Sequence, residues 1–298
     1  MIQQPVLPLQ LSLTEVLYYS SLLFYNQIKL NNFMFKEISQ IRRVVFAILV
    51  RELKTRFGKY RLGYLWALFE PLLIISLFVG IRGILAGSLR GATDKIIYHV
   101  DFPLFLAAGV VPFFMFRHVV IQVMNSIEAN RGLFVYQPVK PIDAMLARWI
   151  LEGVVFVIIW ILVFIILDFV GFKTEIKDPL GLMAIYLLFY LFSLGIGLIL
   201  CIVTNIYEEI SNIISPVMLF LFFTSGIFFS INMIPKKFQV YLLWNPCLHF
   251  IELSRVSLFP LYRADVCSLD FIIICTICAL FFGLALYKLK IREVLASE

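Results

Sequence analysis

The residue types that ligate metals or act as soft nucleophiles are few in this 298-residue chain. There are five cysteines and three histidines. Cys201, Cys247, Cys267, Cys275 and Cys278 are odd in number and irregular in spacing, which is no disulfide framework. Cys275 and Cys278 form a C-x-x-C, but inside an apolar run they read as two small apolar residues of a helix. His99, His118 and His249 lie far apart and lack ligand spacing. The chain has no H-x-x-x-H, no G-x-S-x-G and no G-x-x-x-x-G-K-[ST]. The sequence therefore predicts no metal site, no catalytic residue and no means of binding ATP in this chain.

The remaining candidates are charges set within apolar stretches, where an ionisable side chain is expensive and often functional. Arg148 and Glu152 are four residues apart and can pair on one helix face. Glu70 precedes Pro71, and Arg82 lies where its stem could snorkel to an interface. Arg117 has apolar residues on both sides. It could line a polar path or pair with another span. Aromatic faces offer a further chemistry, stacking on sugar rings in a sequence-tolerant way that lets a polymer slide. Tyr64, Trp66, Phe69 and Phe220–Phe223 are candidates, although most of the thirty Phe, thirteen Tyr and four Trp are interfacial or lipid-facing.

The elements that must hold these residues follow from composition. The chain is 62% hydrophobic and only 15% charged, with mean hydropathy +0.96. That excludes a disordered chain, a coiled coil and an ordinary cytosolic enzyme. Strict alternation is absent, so the spans are helices rather than barrel strands. Apolar runs place six of them at about 62–85, 103–124, 145–170, 180–204, 210–230 and 268–287. The net charge of +6 lies wholly in residues 36–61, which hold eight Lys/Arg and two Asp/Glu. A basic flank marks the cytoplasmic side, so six spans put both termini inside. No nucleic-acid partner is expected.

Three segments are neither spans nor plain loops, and physics alone leaves each open. Residues 37–57 read as an amphipathic helix on the inner membrane face, with Arg43, Ala47, Arg51 and Lys54 on one side. Glu52 falls on its apolar side and spoils the pattern. A solvated charge cluster is the alternative. Residues 231–262 are too polar to span, and Val240–Trp244 and Leu248–Phe259 suggest short re-entrant helices broken at Pro246; an outer loop is the other reading. Residues 125–143, with Pro138 and Pro141 at the exit, form either a rigid docking knob or a connector. Residues 1–35 read as a variable extension without a signal-peptide pattern, and Met34 as an alternative start.

Arg51-Glu52-Leu53-Lys54-Thr55-Arg56-Phe57-Gly58-Lys59, running into Leu62-Gly63-Tyr64-Leu65-Trp66-Ala67-Leu68-Phe69-Glu70-Pro71, resembles the start of ABC-2 type permeases. Ile127-Glu128-Ala129-Asn130-Arg131-Gly132-Leu133, Pro138-Val139-Lys140-Pro141-Ile142-Asp143, and Leu243-Trp244-Asn245-Pro246 with Glu252-Leu253-Ser254-Arg255 extend the likeness over about residues 36–292. Within that family the chain looks most like the permeases of capsule-polysaccharide exporters.

The resemblance implies an all-α integral membrane protein of the Gram-negative bacterial inner membrane, with six transmembrane helices, N-in/C-in. An N-terminal cytoplasmic interface helix at 36–61 would carry Arg43, Arg51, Lys54 and Arg56. A six-helix domain would cover 62–292. A coupling segment within 125–143 would use Glu128, Asn130, Arg131, Leu133 and Tyr136. A re-entrant periplasmic gate at 231–262 would use Trp244, Asn245, Pro246, Glu252 and Arg255. Tyr64, Trp66, Glu70 and Arg117 would be candidates for the substrate path.

The implied partners are a second copy of the chain, two ATPase subunits that bind ATP and magnesium, membrane lipid, and periplasmic and outer-membrane polysaccharide export proteins. The implied cargo is a lipid-linked acidic polysaccharide. A permease for O-antigen, teichoic acid or another lipid-linked glycan is the near alternative. An enzyme acting on polyprenyl-linked sugars is a more distant one, as is an ion or solute carrier, for which the inverted repeats are missing.

Overall fold

A computed structural model describes residues 39–55, 63–86, 100–134, 139–173 and 175–296. The extension at 1–35, Met34, Arg56 and Tyr136 lie outside the described residues, as does the side chain of Tyr64. The chain divides into two compact units, residues 1–47 and 48–298. Helix α1 occupies 39–55, and the division falls within it. The described part of the first unit is helical, and its Arg43 Nη2 donates to Ser39 Oγ one turn back at 3.0 Å.

The described residues of the second unit are almost wholly helical. Helices α2 (Gly63–Leu85), α3 (Phe102–Met124), α4 (Pro141–Val170) and α5 (Pro179–Ile206) are each long and apolar enough to cross a membrane. So is α9 (Leu269–Ala296). Between α5 and α9 lie α6 (Glu209–Thr224), a four-residue α7 (Lys236–Gln239) and α8 (Pro246–Leu258). Helix starts follow local chemistry. Pro141 opens α4, and Asp143 reaches back to accept from the Lys140 N–H at 2.9 Å. Asp178 caps α5 by accepting from Gly181 N–H at 3.0 Å, with Pro179 next.

Helix α3 is the hub. It is buried along most of its length and packs against α2, α4, α5 and α8. Helices α5 and α9 pack along much of their length, and a glycine of each, Gly195 and Gly283, lets their backbones approach where they cross. A Cβ on Gly195 would stand 2.5 Å from the Ala279 carbonyl carbon, and one on Gly283 would stand 2.8 Å from the Gly195 oxygen. Without a hydrophobic drive between helices in lipid, such backbone approach is what holds them.

Two stretches, one expected as a span and one as short re-entrant helices, fold differently from expectation. The run at 210–230 yields only the 16 residues of α6. At 1.5 Å per residue that is roughly 24 Å, short of a hydrocarbon core of about 30 Å. The helix stops because its own hydroxyls compete for its last carbonyls. Thr224 Oγ1 donates to Phe220 O at 3.0 Å and Ser225 Oγ to Leu221 O at 2.5 Å. Gly226 then takes φ +71°, a left-handed conformation that turns the chain back. In 231–262, residues 240–244 form turns rather than a helix; the short helices there are α7 and α8. Asn245 sets the start of α8, its Oδ1 accepting from Cys247 N–H at 3.0 Å, with Pro246 at the first position.

Candidate functional site

Three polar clusters sit within this apolar frame, and their burial differs. The first lies between α2 and α3. Arg117 Nη2 donates to Glu70 Oε1, and His118 Nε2 is 3.2 Å from Glu70 Oε2. Successive residues on a helix point about 100° apart, so α3 presents both side chains to one carboxylate only because Glu70 lies between them. The Arg117 guanidinium also stands 4.6 Å over the Phe114 ring. All three polar side chains are between 22% and 29% exposed.

Beside them is a cavity of about 560 Å³, lined by Ile74 of α2, Phe114, Arg117 and His118 of α3, and Ser215 and Phe222 of α6. A guanidinium fork and an imidazole in one partly open, largely apolar space suit a ligand with hydroxyl or anionic groups. The structure thus brings together Glu70 and Arg117, which the sequence presents separately. It adds His118, whose signal was a lone histidine inside an apolar run. Trp66 is 62% exposed and lies one turn before Glu70 on α2.

The second cluster joins α1 to the ends of α3 and α4. Arg148 Nε donates to Glu52 Oε1 at 3.0 Å, and its Nη1 donates to the carbonyls of Gln122 at 3.2 Å and Asn125 at 3.1 Å. A cation at a helix C-terminus is well placed against the unpaired carbonyls there. Spacing within α4 pointed Arg148 at Glu152. The structure gives it Glu52, 96 residues away, and buries Glu152 one turn further along. Asn130 Nδ2 donates to Glu52 Oε1 at 3.3 Å and to Ser126 O at 2.9 Å, while its Oδ1 accepts from Arg51 Nη2.

Asn130 belongs to a 3-10 turn, Glu128–Leu133, whose Glu128 and Arg131 are exposed. Leu133 is half-buried, and Lys54 is exposed on α1. Of the coupling candidates, then, Glu128 and Arg131 face outward, and Asn130 is an internal tie.

The third cluster is on α8, where Glu252 and Arg255 are wholly buried. Arg255 donates to the carbonyls of Gly226 (2.6 Å), Ile227 (2.9 Å) and Phe105 (3.1 Å), and to Glu252 Oε1 (3.2 Å). It also lies 3.6 Å over the Phe105 ring. Glu252 Oε2 accepts from Tyr262 OH at 2.9 Å. Gly109 of α3 makes room, since a Cβ there would be 2.7 Å from Arg255 Nη2.

Asn245 is buried too, donating to Ser225 Oγ at 3.1 Å, and Pro246 is half-buried. Of the five gate candidates Trp244 alone is exposed. Nearby, Ser268 N–H donates to His249 Nδ1 at 3.2 Å, so His249 carries its proton on Nε2 and donates to Leu243 O at 2.9 Å. Burial holds the His249 pKa below its usual value.

Among the described residues no group of three His, Cys, Asp or Glu could hold a metal ion. Residues 43–259 match the family model for the ABC-2 type transporter, and the chain belongs to that family.

It is 39% identical to the polysialic acid transport protein KpsM of Escherichia coli over 253 residues, covering 85% of this chain and 95% of that protein. The capsule polysaccharide export inner-membrane protein CtrC of Neisseria meningitidis serogroup B is 30% identical over 82% of this chain and 90% of its own length. BexB of Haemophilus influenzae, described in the same words, is 27% identical over 83% and 90%.

Proposed function

We propose that this chain is the permease subunit of an ATP-driven exporter that moves lipid-linked capsular polysaccharide outward across the bacterial inner membrane. The observation that carries this is the likeness to KpsM over 85% of this chain and 95% of that protein. Two copies form the path, and two ATPase subunits, which hold ATP and magnesium, dock on the cytoplasmic side. The orientation is N-in/C-in, with α1 and the Glu128–Leu133 turn inside. It is supported by the basic excess of residues 36–61. Export proteins of the periplasm and outer membrane receive the polymer.

Within this scheme the exposed Glu128 and Arg131 are the ATPase contacts, together with Lys54 on α1. The cavity at Arg117 lies along the polymer path, where Arg117 holds acidic or hydroxyl groups of the polymer. Membrane lipid covers the exposed apolar faces of α2 and α9.

Deletion of the gene tests the reading. The expected result is loss of surface capsule with polymer accumulating inside the cell, restored by the intact gene and not by Arg131→Glu. Normal surface capsule with loss of another surface glycan would overturn it.

A further inference from the structure

The buried cluster at the foot of α3 and α4 has a property that the docking reading does not use. Within the turn, Asn130 carries side-chain hydrogen bonds both to α1 and to the end of α3. It is 1% exposed and uses both ends of its amide. The oxygen accepts from Arg51 of α1, and the nitrogen donates to Glu52 of α1 and back to Ser126 O at the end of α3. Glu52 in turn holds Arg148 of α4, whose second arm is fixed on the last carbonyls of α3. A single side chain thereby ties the turn, residues 51 and 52 of α1, and the α3–α4 ends.

We propose that Asn130, with Glu52 and Arg148, is a positioning lock for coupling. It makes the Glu128–Leu133 turn and the second half of α1 one body on the ends of α3 and α4. A push on the exposed face of the turn then moves those helices and is not absorbed by bending of the turn. The physical argument is stiffness. A short 3-10 turn has few internal hydrogen bonds of poor geometry and transmits force badly alone. Buried amide and guanidinium bonds in a dry site are directional and costly to leave unmade. Packing contacts can slide, whereas the buried bonds among Asn130, Glu52 and Arg148 resist it.

The inference rests on the reading of the turn as the ATPase contact, and the test separates the two. The intact transporter, with its ATPase, is prepared with Asn130→Ala, Asn130→Asp, Glu52→Gln or Arg131→Glu. Three quantities are read: ATPase retained on the permease, ATP hydrolysed, and polymer exported per ATP. Asn130→Ala is expected to keep the ATPase bound and hydrolysis within about twofold, while export per ATP falls about tenfold. Asn130→Asp sets a carboxylate against Glu52 and is expected to do the same. Glu52→Gln keeps an acceptor for Arg148 and is expected to lose less.

Unchanged export per ATP in both Asn130 variants would overturn the lock. So would a fall in export matched by an equal fall in bound ATPase. Arg131→Glu probes the docking reading separately. If it leaves ATPase binding and export intact, the turn is not the contact. If it removes binding while the Asn130 variants stay coupled, the turn is the contact and the lock is wrong.

Discussion

Arg255 and Arg117 each hold one carboxylate inside an apolar helical frame, yet they are built for different ends. Arg255 has no exposed surface, donates to three backbone carbonyls besides Glu252, and lies on the Phe105 ring. Arg117 is 29% exposed, shares Glu70 with His118 and borders a cavity of about 560 Å³. The contrast is between a cation whose two terminal nitrogens are committed to the fold and one that faces a cavity. A buried charge pair is weak evidence of stabilisation in itself, because desolvation offsets the attraction. Here it fixes geometry: Arg255 pins α8 to α3 and to the turn after α6, so α8 is a fixed part of the frame.

The same substitution at both sites tests this contrast. Arg255→Gln leaves Glu252 without its cation and removes donors from three carbonyls. Breaking a buried pair from one side costs about 3–5 kcal/mol. The expected outcome is severe loss of folded protein in the membrane, measured by expression level and by denaturant unfolding in detergent. Wild-type stability of that variant would show the network to be ornamental.

Gly109→Ala attacks the same network from α3. Its methyl would meet Arg255 Nη2 at 2.7 Å and the Ile227 backbone at 3.2 Å. Neither can retreat freely, since the guanidinium is held by four acceptors. Overpacking of this kind costs about 1–3 kcal/mol. The expected result is a lowered unfolding midpoint with the same slope against denaturant. An unchanged midpoint would mean that Arg255 can swing aside, and its hydrogen bonds are then not a rigid pin.

These clusters also show where the sequence was readable. The five long helices match apolar runs because length and hydropathy are local properties. The end of α6 does not, because Thr224, Ser225 and Gly226 act through backbone geometry that a hydropathy count ignores. Glu52 looked like a flaw in an amphipathic pattern because its reason is Arg148, 96 residues on. Asn130 looked like a surface residue of a docking turn, as its neighbours are, since one position in a 3-10 turn can face inward without any period to announce it. Arg255 was visible only as part of a family motif, because the carbonyls it meets come from α3 and the turn after α6, and no spacing encodes those.

Arg117→Gln completes the comparison with Arg255→Gln. A glutamine can still donate to Glu70, and His118 still faces the same carboxylate, so little is left unpaired. The expected loss of stability is about 1 kcal/mol, the net worth of an ordinary hydrogen bond. Export is expected to fall by more than the protein level does, because the cation facing the cavity is gone. Equal falls in stability at Arg117 and Arg255 would erase the distinction drawn between them.

The smallest effect is expected at His249, which belongs with the frame and not with the cavity. Its ring accepts at Nδ1 from Ser268 N–H and donates from Nε2 to Leu243 O, so only the neutral form fits. Burial lowers its pKa from the unfolded value of about 6.5, so the unfolded chain binds the proton first as pH falls. Stability from this site is therefore present above pH 6.5 and declines below it, through the lowered folded value. In His249→Gln the amide nitrogen can replace the Nε2 donor without titrating. Its unfolding midpoint is expected to be somewhat lower at pH 7.5 and to drop less than wild type between pH 7.5 and 5.5. If both proteins lose stability in parallel over that range, the acid sensitivity belongs to other groups, and His249 is a neutral strut at every pH.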